Sequence, residues 1–217
     1  MNNIFFKPWK GKNFESSGYR GKKILILGES HYCKIDEICA VCGVTGLPGC
    51  NDFTNSTVRK FLAYKNGGCG HERWMNTYTR FGNILENRYL DADETSVLWH
   101  SIAFYNYVQI AVIDKRVSPS TENFSKSGDA FYQVVSELLP DLIIVWGDRL
   151  WRNMPETGRD VQIDGAPYYV YTLKSGFQVL AIYVYHPASS AFDYGAHETL
   201  AKAIDSCKRP GARATFG

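Results

Sequence analysis

The stretch Leu142-Ile143-Ile144-Val145-Trp146-Gly147-Asp148 decides the fold class of this chain. Five apolar residues in succession, without alternation, are typical of a strand that is buried on both faces. Strands of this kind occur in parallel sheets, where helices cover both faces. The run stops at a glycine and an acid, so the strand is expected to end there. The pattern therefore predicts an α/β protein with a parallel sheet.

The segment before this strand has the spacing of an amphipathic helix. Its apolar side chains recur at intervals of three and four residues, at Phe131, Val134, Val135, Leu138 and Leu139. Pro140 ends this helix, because proline disfavours helical backbone in the residue before it. Helical spacing also begins near Thr54 and near Trp74, and Leu200, Ala201 and Ile204 predict a closing helix.

Three further apolar runs end abruptly at a glycine or a polar residue. They are residues 24–27 before Gly28-Glu29-Ser30-His31-Tyr32, residues 102–105 before Asn106, and residues 179–185 before His186-Pro187. Residues 168–173 are expected to form an additional strand or hairpin arm. With the helices between them, these runs predict a three-layer α/β/α sandwich around a central parallel sheet of four strands.

Polar residues or glycines follow all four predicted strands. In open parallel sheets, ligands bind just beyond the carboxyl ends of the strands. Glu29, Asn106, Gly147 and His186 are far apart in the chain, but a parallel sheet would carry them to one edge. The sequence therefore predicts a functional site at that edge.

Length and composition indicate an ordinary globular protein. The chain has 217 residues, of which 45% are hydrophobic and 21% charged. We expect one domain over residues 1–217, with a Cys- and Gly-rich insertion at 33–72. No stretch approaches the ~18 apolar residues of a membrane span, and the first residues make a poor signal peptide. These features predict a cytoplasmic protein with no membrane partner, and we expect it to be a monomer.

The cysteines of the insertion allow a structural zinc site. Cys39 and Cys42 have C-x2-C spacing, which often forms half of such a site. The second half could be Cys69 with either His71 or Cys50, and the spacing alone leaves both choices open. The alternative is that these cysteines are reduced thiols without metal, as expected in the cytoplasm.

The strand-end motifs resemble those of the uracil-DNA glycosylase superfamily. Gly28-Glu29-Ser30 follows the first strand, Asn106 the second, and His186-Pro187-Ala188-Ser189 the last, in the order found in that superfamily. They are most similar to a bacterial and archaeal branch with Gly-Glu-x-Pro-Gly and His-Pro-Ser motifs. His31 and Tyr32 replace the proline and glycine of the first motif, and Ala188 replaces the serine of the last. Residues 140–147 also resemble the third strand of the superfamily.

The resemblance implies a monofunctional DNA glycosylase that hydrolyses the N-glycosidic bond of uracil or another deaminated base. Its partner would be uracil-containing or damaged DNA, and catalysis would need no cofactor. The Glu29 carboxylate would stabilise positive charge on the sugar, and a neutral His186 would donate to the departing base. Asn106, with Tyr32 and Gly28, would bind the base. A further set would contact phosphate or support the site: Ser30, His31, Ser189 and Ser190.

Two other functions remain open at this stage. The same fold could bind a nucleotide or nucleic acid without catalysis, since fold does not determine function. Ser30 could be the nucleophile of an esterase, although Tyr32 replaces the closing glycine of a G-x-S-x-G motif. The ring that would stack on a bound base is also open among Phe53, Phe81 and Tyr32.

Overall fold

The structure is a computed structural model that describes residues 3–33, 50–112 and 117–207. Its centre is a seven-stranded mixed sheet with the strand order β1-β4-β2-β6-β9-β8-β7. The strands are β1 Trp9–Lys10, β2 Ile24–Gly28, β4 Ala103–Asn106, β6 Leu142–Trp146, β7 Arg159–Ile163, β8 Ala166–Thr172 and β9 Gln178–Val184. Two further short strands, β3 His31–Tyr32 and β5 Ala111–Val112, pair in parallel outside this sheet.

Helices cover both faces of the sheet. They are α1 Phe53–Lys65, α2 Met75–Leu85, α3 Ala92–Ser101, α4 Thr121–Lys126, α5 Gly128–Leu138, α6 Asp148–Arg152 and α7 Ala196–Ser206. Successive residues of a strand point to opposite faces. Accordingly, Ile144 packs in the core formed with α1, α2, α3 and α7, whereas Val145 packs in the core formed with α4, α5 and α6. The prediction of an α/β protein is confirmed.

The sheet differs from the four-stranded parallel sheet that we predicted. Strands β4, β2, β6 and β9 are parallel neighbours, but β1 pairs antiparallel with β4, and β8 and β7 extend the other edge antiparallel. The β7–β8 hairpin turns at Asp164-Gly165, where both residues have positive φ angles of 51° and 77°. Such turns join adjacent strands in two residues. Edge strand β7 has mostly exposed side chains and lacks the apolar run by which buried strands are recognised.

The structure places a helix within the segment 33–72, which we predicted to be an insertion. Thirteen of its residues form α1, in which Val58 and Phe61 are fully buried. This helix packs against α3 and belongs to the main core. The predicted insertion therefore contains a helix that the fold requires. Residues 34–49, including Cys39 and Cys42, lie outside the described residues.

The direction in which successive parallel strands are added to the sheet reverses between β2 and β6. After β2 the connection leads to β4 on one side, whereas after β6 it leads to β9 on the other side. Loops that leave neighbouring strands in opposite directions open a crevice at the carboxyl ends of those strands. The crevice lies where the loops after Gly28 and Trp146 begin.

No helix within residues 3–33, 50–112 and 117–207 is long and apolar enough to cross a membrane.

Candidate functional site

A cavity of about 610 Å³ opens at this crevice. Residues from the ends of all four parallel strands line it, together with residues from the start of α1 and from α2. The lining includes eight residues that the sequence analysis assigned to a site: Gly28, Glu29, Ser30, His31, Tyr32, Asn106, His186 and Ser189. Ser190 is exposed and does not line this cavity.

Asn106 is held by its neighbours at the end of β4. Its Nδ2 lies 3.1 Å from Nδ1 of His31, and its side chain is almost completely buried. The Oδ1 atom lies directly over Gly28, which is the register partner of Asn106 in the adjacent strand. Any Cβ at position 28 would overlap this oxygen. Gly28 is therefore required by the position of the amide.

His31 contacts Asn106 and is itself held by two neighbouring side chains. Its Nε2 lies 2.9 Å from Oγ1 of Thr54, and its ring stacks on Phe53 at a centroid distance of 4.6 Å. Desolvation in this aromatic surrounding lowers the pKa of His31 to about 3, so the ring is uncharged at neutral pH. An uncharged, buried imidazole is a poor phosphate ligand. The structure thus favours a supporting role for His31 over a phosphate contact.

Glu29 forms an ion pair with Arg149 of α6. Nε and Nη2 of Arg149 donate to the two carboxylate oxygens of Glu29 at 2.7 and 2.5 Å. This pair joins the loop after β2 to helix α6, which follows β6, across the crevice. The hydrogen bonds to Glu29 raise the pKa of Arg149, which is therefore a permanent cation in this site.

His186 lies on a tight turn after β9, which orients its ring. The backbone N–H of Ala188 donates to Nδ1 of His186 at 3.1 Å. A neutral imidazole that accepts at Nδ1 carries its proton on Nε2. Desolvation lowers the pKa of His186, and Arg149 acts in the same direction while the Glu29 carboxylate opposes it. His186 is therefore mainly neutral at pH 7, with Nε2 as a donor.

One side chain from another element binds this turn, and a glycine lies beside it. Nη1 of Arg80, on α2, donates to the carbonyl oxygens of Pro187 and Ser189 at 3.3 and 2.8 Å. Gly147 lies beside His186 with a φ angle of 100°, a conformation that favours glycine. The turn that carries His186 is therefore bound to α2 as well as to its own strand.

Aromatic side chains from several elements contribute to the lining of the cavity. Of the three rings considered for stacking, Phe53 and Tyr32 line the cavity, whereas Phe81 is fully buried in the core and does not line it. Tyr185 also contributes, and two rings come from α2 and the residue before it, Trp74 and Tyr78. Aromatic rings in the lining suit the flat face of a nucleobase.

Ser30 shows no esterase arrangement. Its Oγ is buried and has no hydrogen-bond partner within the described part of the chain. A nucleophilic serine needs a base within hydrogen-bond reach. The neighbouring His31 is instead engaged with Thr54 and Asn106.

The described cysteines form no metal site among themselves. Cys50 precedes α1 and Cys69 follows it, and Sγ of Cys69 donates to the carbonyl oxygen of Lys60 at 3.5 Å. His71 faces Asn76, with Nε2 2.8 Å from its Oδ1. No group of three or more potential ligands occurs among the residues whose positions the structure describes.

Arg149, Arg80 and Trp74 were missed by the sequence analysis. Arg149 lies two residues after Gly147, so the rule that ligands bind at strand ends could have indicated it. Arg80 and Trp74 had no such signal, because their spacing on α2 is that of an ordinary amphipathic helix. Only the packing of α2 on the sheet, where Tyr78 and Phe81 contact Trp146, brings them to the site.

Replacing Gly28 by Ala is expected to damage the site directly. The new methyl group would displace the Asn106 amide, and overpacking of this kind costs typically 1–3 kcal/mol. Chemical denaturation should show this loss as a lower free energy of unfolding. Gly70→Ala is the matched control, because nothing lies within 4 Å of its Cβ position. Unchanged stability of the Gly28 variant would contradict the assigned contact.

Comparison with known proteins adds no family to this description. A scan against protein-family models gives no match, and no curated protein matches the sequence. The geometry of the cavity is therefore the basis of the functional argument.

Proposed function

We propose that this protein is a DNA glycosylase that hydrolyses the N-glycosidic bond of uracil or a related deaminated base. In this reaction the bond between C1′ of the sugar and the base nitrogen breaks, and its electron pair leaves with the base. The oxygen of a water molecule bonds to C1′, one water proton is lost to solvent, and the base gains a proton. No covalent bond to the protein forms.

The observation that carries the proposal is the orientation of His186. Because Ala188 donates to Nδ1, the neutral ring offers Nε2–H to a ligand in the cavity. Negative charge develops on the oxygen of the departing base, and a fixed donor stabilises it without reorganisation. The lowered pKa of His186 supports this role, because protonation of Nδ1 would remove the hydrogen bond from Ala188 that orients the ring.

Glu29 and Asn106 supply the other two functions at the same cavity. The Glu29 carboxylate carries the negative charge that would stabilise a cationic sugar and orient the attacking water. Asn106 offers an amide at the buried end of the cavity, where it would bind the polar edge of a pyrimidine. A cavity of this volume accommodates a whole nucleotide as well as a base. The three residues meet here although 157 positions separate Glu29 from His186.

A non-catalytic binding protein on the same fold is the second candidate. The ion pair with Arg149 favours it, because both oxygens of the Glu29 carboxylate are already engaged. A glycosylase must free that carboxylate, whereas a binding protein need not. The two candidates therefore differ in whether Glu29 matters for more than affinity.

One experiment separates these functions. Purified protein is incubated with single- and double-stranded oligonucleotides that contain uracil, hypoxanthine or xanthine, and the released base is quantified by chromatography. The proposal expects release of at least one free base and an alkali-sensitive abasic strand. Binding of free uracil in the cavity without release from any strand would favour the non-catalytic candidate. Labelling of Ser30 by a fluorophosphonate would instead indicate an esterase.

The pH dependence of base release should follow the ionisation of His186. Its pKa lies below the ordinary value of about 6.5, so the neutral donor predominates at pH 7. We expect a constant rate of base release through neutral pH. As the pH falls through the pKa of His186, the ring becomes protonated and the rate should decline. Ring NMR titration should give the same midpoint as the rate profile. A rate that rises as His186 becomes protonated would contradict the neutral-donor role.

A further inference from the structure

The carboxylate that the proposed reaction needs is engaged by Arg149. Both oxygens of Glu29 accept hydrogen bonds from the planar guanidinium of Arg149. A carboxylate in contact with a cation presents little net charge to a third group, because the two fields largely cancel. As long as this pair persists, Glu29 contributes little stabilisation to a cationic sugar. A productive complex therefore requires Arg149 to change its partner.

The two members of the pair differ in how solvent reaches them. The Glu29 side chain is 12% exposed, whereas the Arg149 side chain is 51% exposed. Nη1 of Arg149 also donates to Oγ of Ser118, an exposed residue. Asp148, which precedes Arg149 in the sequence, binds Arg152 at 2.9 Å and not Arg149. An anionic ligand that approaches from solvent therefore meets Arg149 before it meets Glu29.

We propose that Arg149 binds a phosphate group of the nucleic-acid strand beside the target nucleotide, and that this contact frees Glu29 for the reaction. Arginine suits this exchange, because its fork binds phosphate and carboxylate oxygens in the same bidentate geometry. The inference rests on the proposed function and names its substrate class. The substrate is a strand with a phosphate next to the target sugar, and a free nucleoside is a poor substrate because it leaves the ion pair intact.

The preference of the protein for an oligonucleotide over a free nucleoside tests this role of Arg149. We compare kcat/KM for a uracil-containing oligonucleotide and for deoxyuridine, in the wild type and in Arg149→Gln. The variant loses both the phosphate contact and the ion pair with Glu29. Its preference for the oligonucleotide over deoxyuridine should therefore fall by about tenfold or more. Arg152→Gln is the matched control, because Arg152 is on the same helix and does not line the cavity. An equal loss on both substrates would overturn the proposal, since Arg149 would then only position Glu29.

Binding provides a measurement that does not depend on activity. The dissociation constant of a short fluorescein-labelled, uracil-containing single strand is measured by anisotropy over a range of KCl concentrations. Loss of one phosphate contact should reduce the slope of log affinity against log salt by about 0.7 in Arg149→Gln. An unchanged slope would overturn the phosphate contact. If the wild type releases no base but the slope falls, the glycosylase activity fails while the phosphate contact stands.

Discussion

Replacing His186 by Ala should reduce the rate of base release by ~100- to 1000-fold, the usual effect of removing one preorganised donor to a developing oxyanion. The ring is fixed by the Ala188 N–H and by a turn that Arg80 holds, so its donor is in place before the reaction. Single-turnover release of uracil from a labelled oligonucleotide measures the chemical step. Since the donor acts mainly in the transition state, kcat should fall far more than KM changes.

Matched variants separate this loss from a folding defect. His186→Gln keeps an N–H donor on a flexible side chain and should recover part of the lost rate. His197→Ala removes a histidine that lies on α7 and does not line the cavity, and its rate per folded molecule should equal that of the wild type. Thermal denaturation of each variant reports the folded fraction. A His186→Ala protein that retains nearly full activity would exclude the ring as donor to the base.

Replacing Glu29 by Gln should reduce the rate by ~100-fold or more, in the range of losses expected for a positioned acid or base. Glutamine keeps the shape of the side chain but removes the charge that stabilises the sugar and orients water. The substitution also removes the carboxylate that opposes the lowering of the His186 pKa. The midpoint of the His186 ring titration should therefore move to lower pH, and NMR measures this independently of activity.

The control for Glu29 is an exposed glutamate in an ordinary ion pair. Glu122 pairs with Lys126 one helical turn away, and its side chain is 71% exposed. Glu122→Gln should leave both the rate and the His186 titration unchanged. If Glu29→Gln weakens oligonucleotide binding but releases base at the wild-type rate, the carboxylate has no role in bond cleavage, and the non-catalytic candidate gains support.

Local sequence patterns were sufficient to predict the α/β class and the strand ends. The run Leu142–Trp146 is apolar at every position, and burial on both faces is the environment that such a run requires. The helix before it followed from the spacing of Phe131 and Val134, and the structure has α5 there. Glu29, Asn106 and His186 were selected only because each follows such a strand. These inferences depend on neighbours in the chain, which a sequence displays directly.

The mixed character of the sheet was only partly predictable. The apolar runs indicated the four parallel strands, but β1 has two residues and β7 has an exposed face. Short or half-exposed edge strands carry little hydrophobic signal, because few of their side chains enter the core. The Asp164-Gly165 dipeptide was the available sign of the β7–β8 hairpin.

The sequence by itself determined which residues stand at the ends of the buried strands, since burial imposes a local pattern. Only the tertiary structure decided how they are paired. The Arg149–Glu29 ion pair joins residues 120 positions apart, and it exists because β2 and β6 are neighbours in the sheet. The contact of Asn106 with Gly28 likewise follows from the register between β2 and β4. Strand order and register are set by the packing of the whole core, so no local pattern contains them.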